Sequence, residues 1–186
     1  AGIAMDHQEF MLVPTMTVGE NISVMQNESW TRPFVNRKGL EKRIEEIAKQ
    51  HGLAVDPEAT IRDLSAGQRQ CVEILKALFK GASILILDEP TSVLTPLETR
   101  ELFSALRQMV ASGKSVIFVS HKIDEILAVT DNVTVLRQGM VVATQATKNV
   151  TRADLAKMIV GRDVVFRVDR LASQVASTFL DLRDVS

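Results

Sequence analysis

Ser83-Ile84-Leu85-Ile86-Leu87-Asp88-Glu89-Pro90-Thr91 is the stretch on which the fold turns. Four β-forming apolar residues bounded by polar ones are too short for an ordinary helix and predict a buried strand of a parallel sheet. A second run, Ser115-Val116-Ile117-Phe118-Val119-Ser120-His121, has the same form. Between the two, Thr95-Pro96-Leu97-Glu98 supplies an N-cap, a proline at the first helical position and a glutamate that reaches back. Such a capping box is worth about 0.5 to 2 kcal/mol. The helix it opens carries Phe103, Leu106 and Val110 at helical spacing and stops at Gly113. Strand, helix and strand form the repeating unit of a parallel α/β sheet, which gathers its polar chemistry at the carboxyl ends of the strands.

Two adjacent carboxylates, Asp88 and Glu89, stand at such an end. The pairing suits hydrolysis of a magnesium nucleotide: one acid is held against the metal shell while the next faces the water that attacks phosphorus. Taken alone, it is equally the pattern of an Asp-Glu-Pro turn closing a strand. Upstream, Leu40, Ile44, Ile47 and Ala48 share one face of a charged helix ending near His51-Gly52. A second helix begins at Ser65, opened by a box of Ser65 with Gln68, and sets Cys71, Leu75, Leu78 and Phe79 on one apolar stripe. Its first turn, Leu64-Ser65-Ala66-Gly67-Gln68, is expected to stay free for a ligand, because the bare amides of a helix amino end favour phosphate. Downstream, Val133, Val135, Met140 and Val142 flank Arg137-Gln138-Gly139 and predict a hairpin, and Thr151 to Asp154 caps a short helix ending at Gly161.

Composition bounds the rest. The chain has 186 residues, 46% of them apolar and 24% charged, enough for one domain with a true core, or for a domain and a stub. Lys and Arg (22) nearly balance Asp and Glu (23), so bulk attraction to nucleic acid is absent and nucleic acid is not expected as a partner. The strongest apolar runs, Ile84 to Leu87 and Val116 to Val119, fall far below the roughly 20 residues of a membrane-spanning helix. The single cysteine, Cys71, can form no internal disulfide, which suits a reducing compartment, and its place on the apolar stripe reads as packing. His7 and His51 lack the spacing of metal ligands; they read as a strand-end side chain and as a cation at a helix carboxyl end.

In their order, these elements resemble the ATP-binding-cassette (ABC) ATPases. Leu64 to Gln68 matches the family's signature, Ile84 to Asp88 its Walker B strand, Glu89 the acid that follows, Ser92-Val93-Leu94-Thr95 the D-loop, and His121 the switch histidine. Ala4-Met5-Asp6-His7-Gln8-Glu9-Phe10 resembles the strand entering the Q-loop, with Gln8 as its glutamine. Phe10-Met11-Leu12-Val13-Pro14 and Glu89 to Pro96 are most similar to importers of sugars and nucleosides that carry two cassettes in one polypeptide. The resemblance implies an α/β, P-loop NTPase-like core with a mostly parallel sheet and a helical signature subdomain. It implies ATP and Mg2+ as cofactors, Asp88 and Gln8 at the metal, and Glu89, His121 and Gln8 as catalytic residues. Leu64, Ser65, Ala66, Gly67 and Gln68 would then hold the nucleotide, Ser65 and Gly67 on the γ-phosphate of an ATP seated on the opposite cassette. Three positions depart from the family pattern: Ala66 replaces a glycine, Cys71 a common arginine and Thr95 the usual aspartate.

The phosphate-cradling GxxxxGK[ST] loop is not found in these 186 residues; Gly113-Lys114-Ser115 lacks the first glycine, since Gln108 stands there, and it leads from a helix into a strand. With Ala1 in place of an initiator Met, the expectation is a chain that starts after that loop and is inactive by itself. Residues 1–166 are then an ABC ATPase domain without its Walker A part, with a helical subdomain over about 12–80; residues 167–177 are a linker, and 178–186 begin a second cassette. Expected partners are transmembrane permease subunits, a second ABC domain in the same or another chain and, indirectly, a solute-binding protein, at the cytoplasmic face of the membrane. A non-transport ABC ATPase and a non-catalytic interaction module are the competing readings. The 57 residues from Gln8 to Ser65 leave no room for the long coiled coil of DNA-repair relatives.

Overall fold

The computed structural model describes residues 2–6, 10–24 and 37–161. Gln8, His7, the expected linker and the expected start of a second cassette lie outside the described residues. Strands β1 (Ile3–Asp6), β2 (Ile84–Asp88) and β3 (Ser115–Val119) form a parallel sheet in that order, with Ile3 opposite Ile84 and Ile84 opposite Ser115. Leu85 and Leu87 are buried, and Ala4, Val116 and Phe118 join the same core. The alternate residues do not follow the expectation of strands covered on both faces: Ile117 keeps 51% and Val119 46% of its surface, as do Ile3 and Met5 to a similar degree. Side chains alternate along a strand, so one face of this sheet meets helices while the other stays half-open among the described residues.

The covered face packs on α3 (Ala66–Phe79) and α4 (Pro96–Ala111). The capping box of α4 forms as the sequence predicts: the Glu98 amide donates to Thr95 Oγ1 at 3.3 Å, and the Thr95 amide donates to Glu98 Oε2 at 2.9 Å. The buried stripe of α4 is Leu102, Leu106 and Met109, with Phe103 at its edge. Val110, expected in that stripe, is 45% exposed, because centring the stripe on Leu102 and Leu106 turns Met109 inward and the next residue about 100° away. Phe103 meets Phe118 edge to face, with ring centroids 5.9 Å apart.

Helices α1 (Val18–Val24) and α2 (Arg37–Gln50) complete a helical layer on α3. Val18, Ile22, Ile44, Ile61, Val72 and Leu75 interlock there, continuous with the core under the sheet. His51, just past α2, is not a cation. It is buried, and burial together with Lys114 pushes its pKa below the ordinary imidazole value, so the ring is neutral at neutral pH. Further on, α5 (Ile123–Val129) leads into the hairpin of β4 (Asn132–Arg137) and β5 (Met140–Ala146), and α6 (Arg152–Val160) follows. The hairpin turn places Gln138 at φ 51° and Gly139 at φ 75°, the left-handed pair that matches the twist of two antiparallel strands. Val135, Val150 and Leu155 form its small separate core.

Candidate active site

The acid pair emerges where β2 ends. Asp88 pairs with Val119 of β3, and the Glu89 amide donates to the Val119 carbonyl at 2.9 Å, carrying the sheet's hydrogen bonding one residue past the strand. Glu89 then turns to φ 48°, a left-handed conformation that costs a non-glycine residue about 1 to 3 kcal/mol and persists only where the surroundings enforce it. The turn sets Glu89 Oε1 2.8 Å from His121 Nδ1, two residues beyond the end of β3. Adjacency of β2 and β3 therefore brings together two residues 32 apart in the chain. The His121 side chain is 70% exposed and that of Glu89 30%, so the pair faces solvent with the ring outermost. A carboxylate held by an imidazole at an open strand end can order a water and pass its proton.

The loop after the pair is tied from below. Buried Thr91 donates through Oγ1 to Glu125 Oε2 at 2.5 Å, while Lys122 Nζ donates to the Thr91 carbonyl at 2.9 Å and pairs with Glu125 at 3.1 Å. This α5 anchor escapes sequence reasoning, which singles out neither Lys122 nor Glu125.

The Asp88 carboxylate makes no hydrogen bond or ion pair with the described residues, leaving both hard oxygens available. No cluster of three or more His, Cys, Asp or Glu side chains able to hold a metal occurs among the described residues. One carboxylate fits Mg2+, which keeps several waters and takes much of its shell from substrate phosphates. Gln8, the other expected metal contact, lies outside the described residues, but both flanks of its segment are held by α3: Gln70 Nε2 donates to Asp6 Oδ2, and Lys76 Nζ donates to the Met11 carbonyl at 2.9 Å. Lys76 also forms a buried ion pair with Glu73 at 2.7 Å, and the second oxygen of Glu73 has no hydrogen-bond partner among the described residues. The signal for this stripe is present in the sequence, where polar residues recur at 70, 73 and 76 and the helix from Gln70 onward is otherwise apolar.

The amino end of α3 forms as expected, with the Gln68 amide donating to Ser65 Oγ at 3.2 Å and the Ser65 amide to Gln68 Oε1 at 2.9 Å. Ala66 sits in the helix and Leu64 packs against the core, so the alanine replaces a glycine without demanding a positive φ. The first turn is not free, however. Ser65 Oγ donates to Glu98 Oε1 at 2.8 Å, and the Gly67 amide donates to the same oxygen at 3.1 Å. These bonds and those from Thr95 hold the Glu98 carboxyl far below the usual carboxylate range, at about 2. No hydrogen bond between described residues joins this helix end to Asp88, Glu89 or His121. Cys71 packs against the core, and burial raises its thiol to about 11, which bears out a packing role.

The profile of the ABC transporter family matches residues 1–92. Over 185 residues the chain is 45% identical to the nucleoside import ATP-binding protein NupA of Lactococcus lactis subsp. cremoris, covering all of this chain and 36% of that protein. It is 40% identical to the guanosine import ATP-binding protein NupO of Bacillus subtilis, again over its whole length and 36% of the relative. The chain thus spans about a third of the length of these curated relatives. Among solved structures it is similar to cbiO1 of Clostridium perfringens, part of the ABC transporter complex cbiONQ, with a TM-score of 0.65 and 26% identity over 86% of this chain and 60% of that one. It shares its fold with an ATP-binding cassette solved as a dimer in a post-hydrolysis state with ADP and Pi, at TM-score 0.62 and 24% identity over 78% of this chain and 62% of that one. The α/β core with its parallel sheet is that of these ATPases, and residues 1–92 of the chain match the ABC transporter family.

Proposed function

We propose that this chain is part of the ATP-binding, ATP-hydrolysing subunit of an importer for a small solute such as a sugar or nucleoside. The observation that carries the reading is the 2.8 Å contact between Glu89 and His121 at the carboxyl ends of adjacent parallel strands, directly after Asp88. Glu89 polarises the attacking water and accepts its proton, and His121 orients Glu89 and reaches the γ-phosphate from the exposed side. Asp88 supplies an oxygen to the shell of Mg2+, with Gln8 assisting; the metal, when bound, neutralises charge developing on the transferred phosphoryl group. Leu64, Ser65, Ala66, Gly67 and Gln68 contact an ATP seated on a second cassette, with Ser65 Oγ and the Gly67 amide as donors to its terminal phosphate.

In this reading residues 1–166 belong to one ATPase domain with a helical subdomain over about 12–80, residues 167–177 link it onward, and 178–186 open a second cassette. The partners are transmembrane permease subunits and the second ABC domain, with a solute-binding protein acting through the permease, all at the cytoplasmic face of the membrane. The import names of NupA and NupO support the substrate class. The test is Glu89→Gln in a polypeptide that also carries the phosphate-cradling loop. Mg-ATP turnover is expected to fall by at least about 100-fold with ATP binding retained. Unchanged turnover removes Glu89 from the reaction.

A further inference from the structure

We propose that Glu98 is an internal anion seated in the phosphate-binding end of α3, which a terminal phosphate must displace before Ser65 and Gly67 can bind it. The proposal rests on the reading of those two residues as phosphate donors. Its basis is the division of labour within one carboxylate. Glu98 Oε2 closes the cap of its own helix α4, accepting from the Thr95 amide and from Thr95 Oγ1, each at 2.9 Å. Glu98 Oε1 crosses to the neighbouring helix and accepts from Ser65 Oγ at 2.8 Å and from the Gly67 amide at 3.1 Å. A hydroxyl and a bare amide converging on one anionic oxygen at a helix amino end are the donor set that a phosphate oxygen would use.

The fit of this occupant is close. A Cβ on residue 67 would stand 2.7 Å from Glu98 Cγ and 2.8 Å from both Cδ and Oε1, so the glycine makes room for this carboxylate. The length of the side chain points the same way. In α6, Asp154 completes the full capping box with Thr151, so capping alone does not call for the extra methylene that lets Glu98 reach α3. Its depressed pKa keeps Glu98 ionised throughout the physiological range, and two anions cannot share these two donors. Arrival of a phosphate therefore means departure of Oε1, while Oε2 can stay on Thr95.

The experiment compares the wild-type chain with Glu98→Asp, which retains charge and cap but not reach, and with Glu98→Gln, whose side chain can still complete a capping box. Inorganic tripolyphosphate is titrated into each while the Gly67 amide is followed by NMR. Half-saturation is expected at a concentration about fivefold lower in both variants than in wild type, and adding Ser65→Ala to Glu98→Asp is expected to abolish the gain. Equal half-saturation in all three proteins overturns the proposal. Failure of the underlying reading registers elsewhere: Ser65→Ala that leaves Mg-ATP turnover of the complete cassette unchanged refutes the assignment of function, whatever tripolyphosphate does at Gly67.

Discussion

Replacing Lys76 by Met should be one of the most damaging single changes in the chain, although it puts an apolar side chain where the surroundings are largely apolar. Lys76 and Glu73 expose only 6% and 8% of their side chains, and their 2.7 Å pair is closed inside the helical layer. Lys76 Nζ also satisfies the Met11 carbonyl at 2.9 Å, and Glu73 Oε1 already lacks a hydrogen-bond partner among the described residues. An intact pair of this kind contributes little net stability, since desolvation offsets its Coulomb attraction. Removing one member is different: it strands a buried carboxylate and costs about 3 to 5 kcal/mol. With a urea slope near 2 kcal/mol per M, the unfolding midpoint should fall by about 1.5 to 2.5 M, read by circular dichroism. The double variant Glu73→Leu/Lys76→Met should recover much of that loss, because no charge is then left behind and only the Met11 carbonyl lacks its donor, at about 1 to 3 kcal/mol. A single variant that melts within about 0.3 M of wild type would refute the assignment of the pair as a closed ionic unit.

Other outcomes follow from the same geometry. Leu85→Ala should cost about 2 to 5 kcal/mol by leaving a cavity between β2 and the helices, whereas Ile117→Ala on the open face should cost well under half of that; denaturant melts compare them. Because Glu98 is held near pKa 2, its contribution is complete above the unfolded value of about 4.5 and is lost as pH falls toward 2, so the Gly67 amide resonance should hold steady down to about pH 3 and shift below it. His51 has the lowered pKa of a buried imidazole, so the unfolded chain binds its proton more readily and stability should decline as pH drops below about 6.5; His51→Phe should flatten that limb of the profile. Cys71, raised to about 11, should resist alkylation at pH 8 in the folded chain and react promptly in urea.

What the sequence reveals is what is local or what repeats. The capping boxes expected at Ser65, Thr95 and Thr151 are legible because donor and acceptor lie three residues apart. The meeting of Glu89 with His121 is legible for another reason: both follow strands of the same type, and neighbouring parallel strands bring their ends together. The misplacement of Val110 is an error of phase, since a periodic stripe fixes spacing better than it fixes which of two adjacent residues faces the core. His51 looks like a surface cation because nothing nearby in the chain announces that Lys114 lies close and that the ring is covered. The bond from Ser65 to Glu98 spans 33 residues and depends on how α3 sits beside α4, so a reader of the sequence sees a vacant helix end where the fold has filled it.

The grip of α3 on the segment around Gln8 has a mechanical corollary. Gln70 and Lys76 are six residues apart, about 9 Å along the axis, and they hold Asp6 on one side of that segment and Met11 on the other. A rod fastened to a cord at two separated points cannot let the cord slip past it; unequal tension on the two fastenings tilts the rod instead. Displacement of the chain beyond Met11 is therefore resisted by α3, the helix whose amino end carries Ser65.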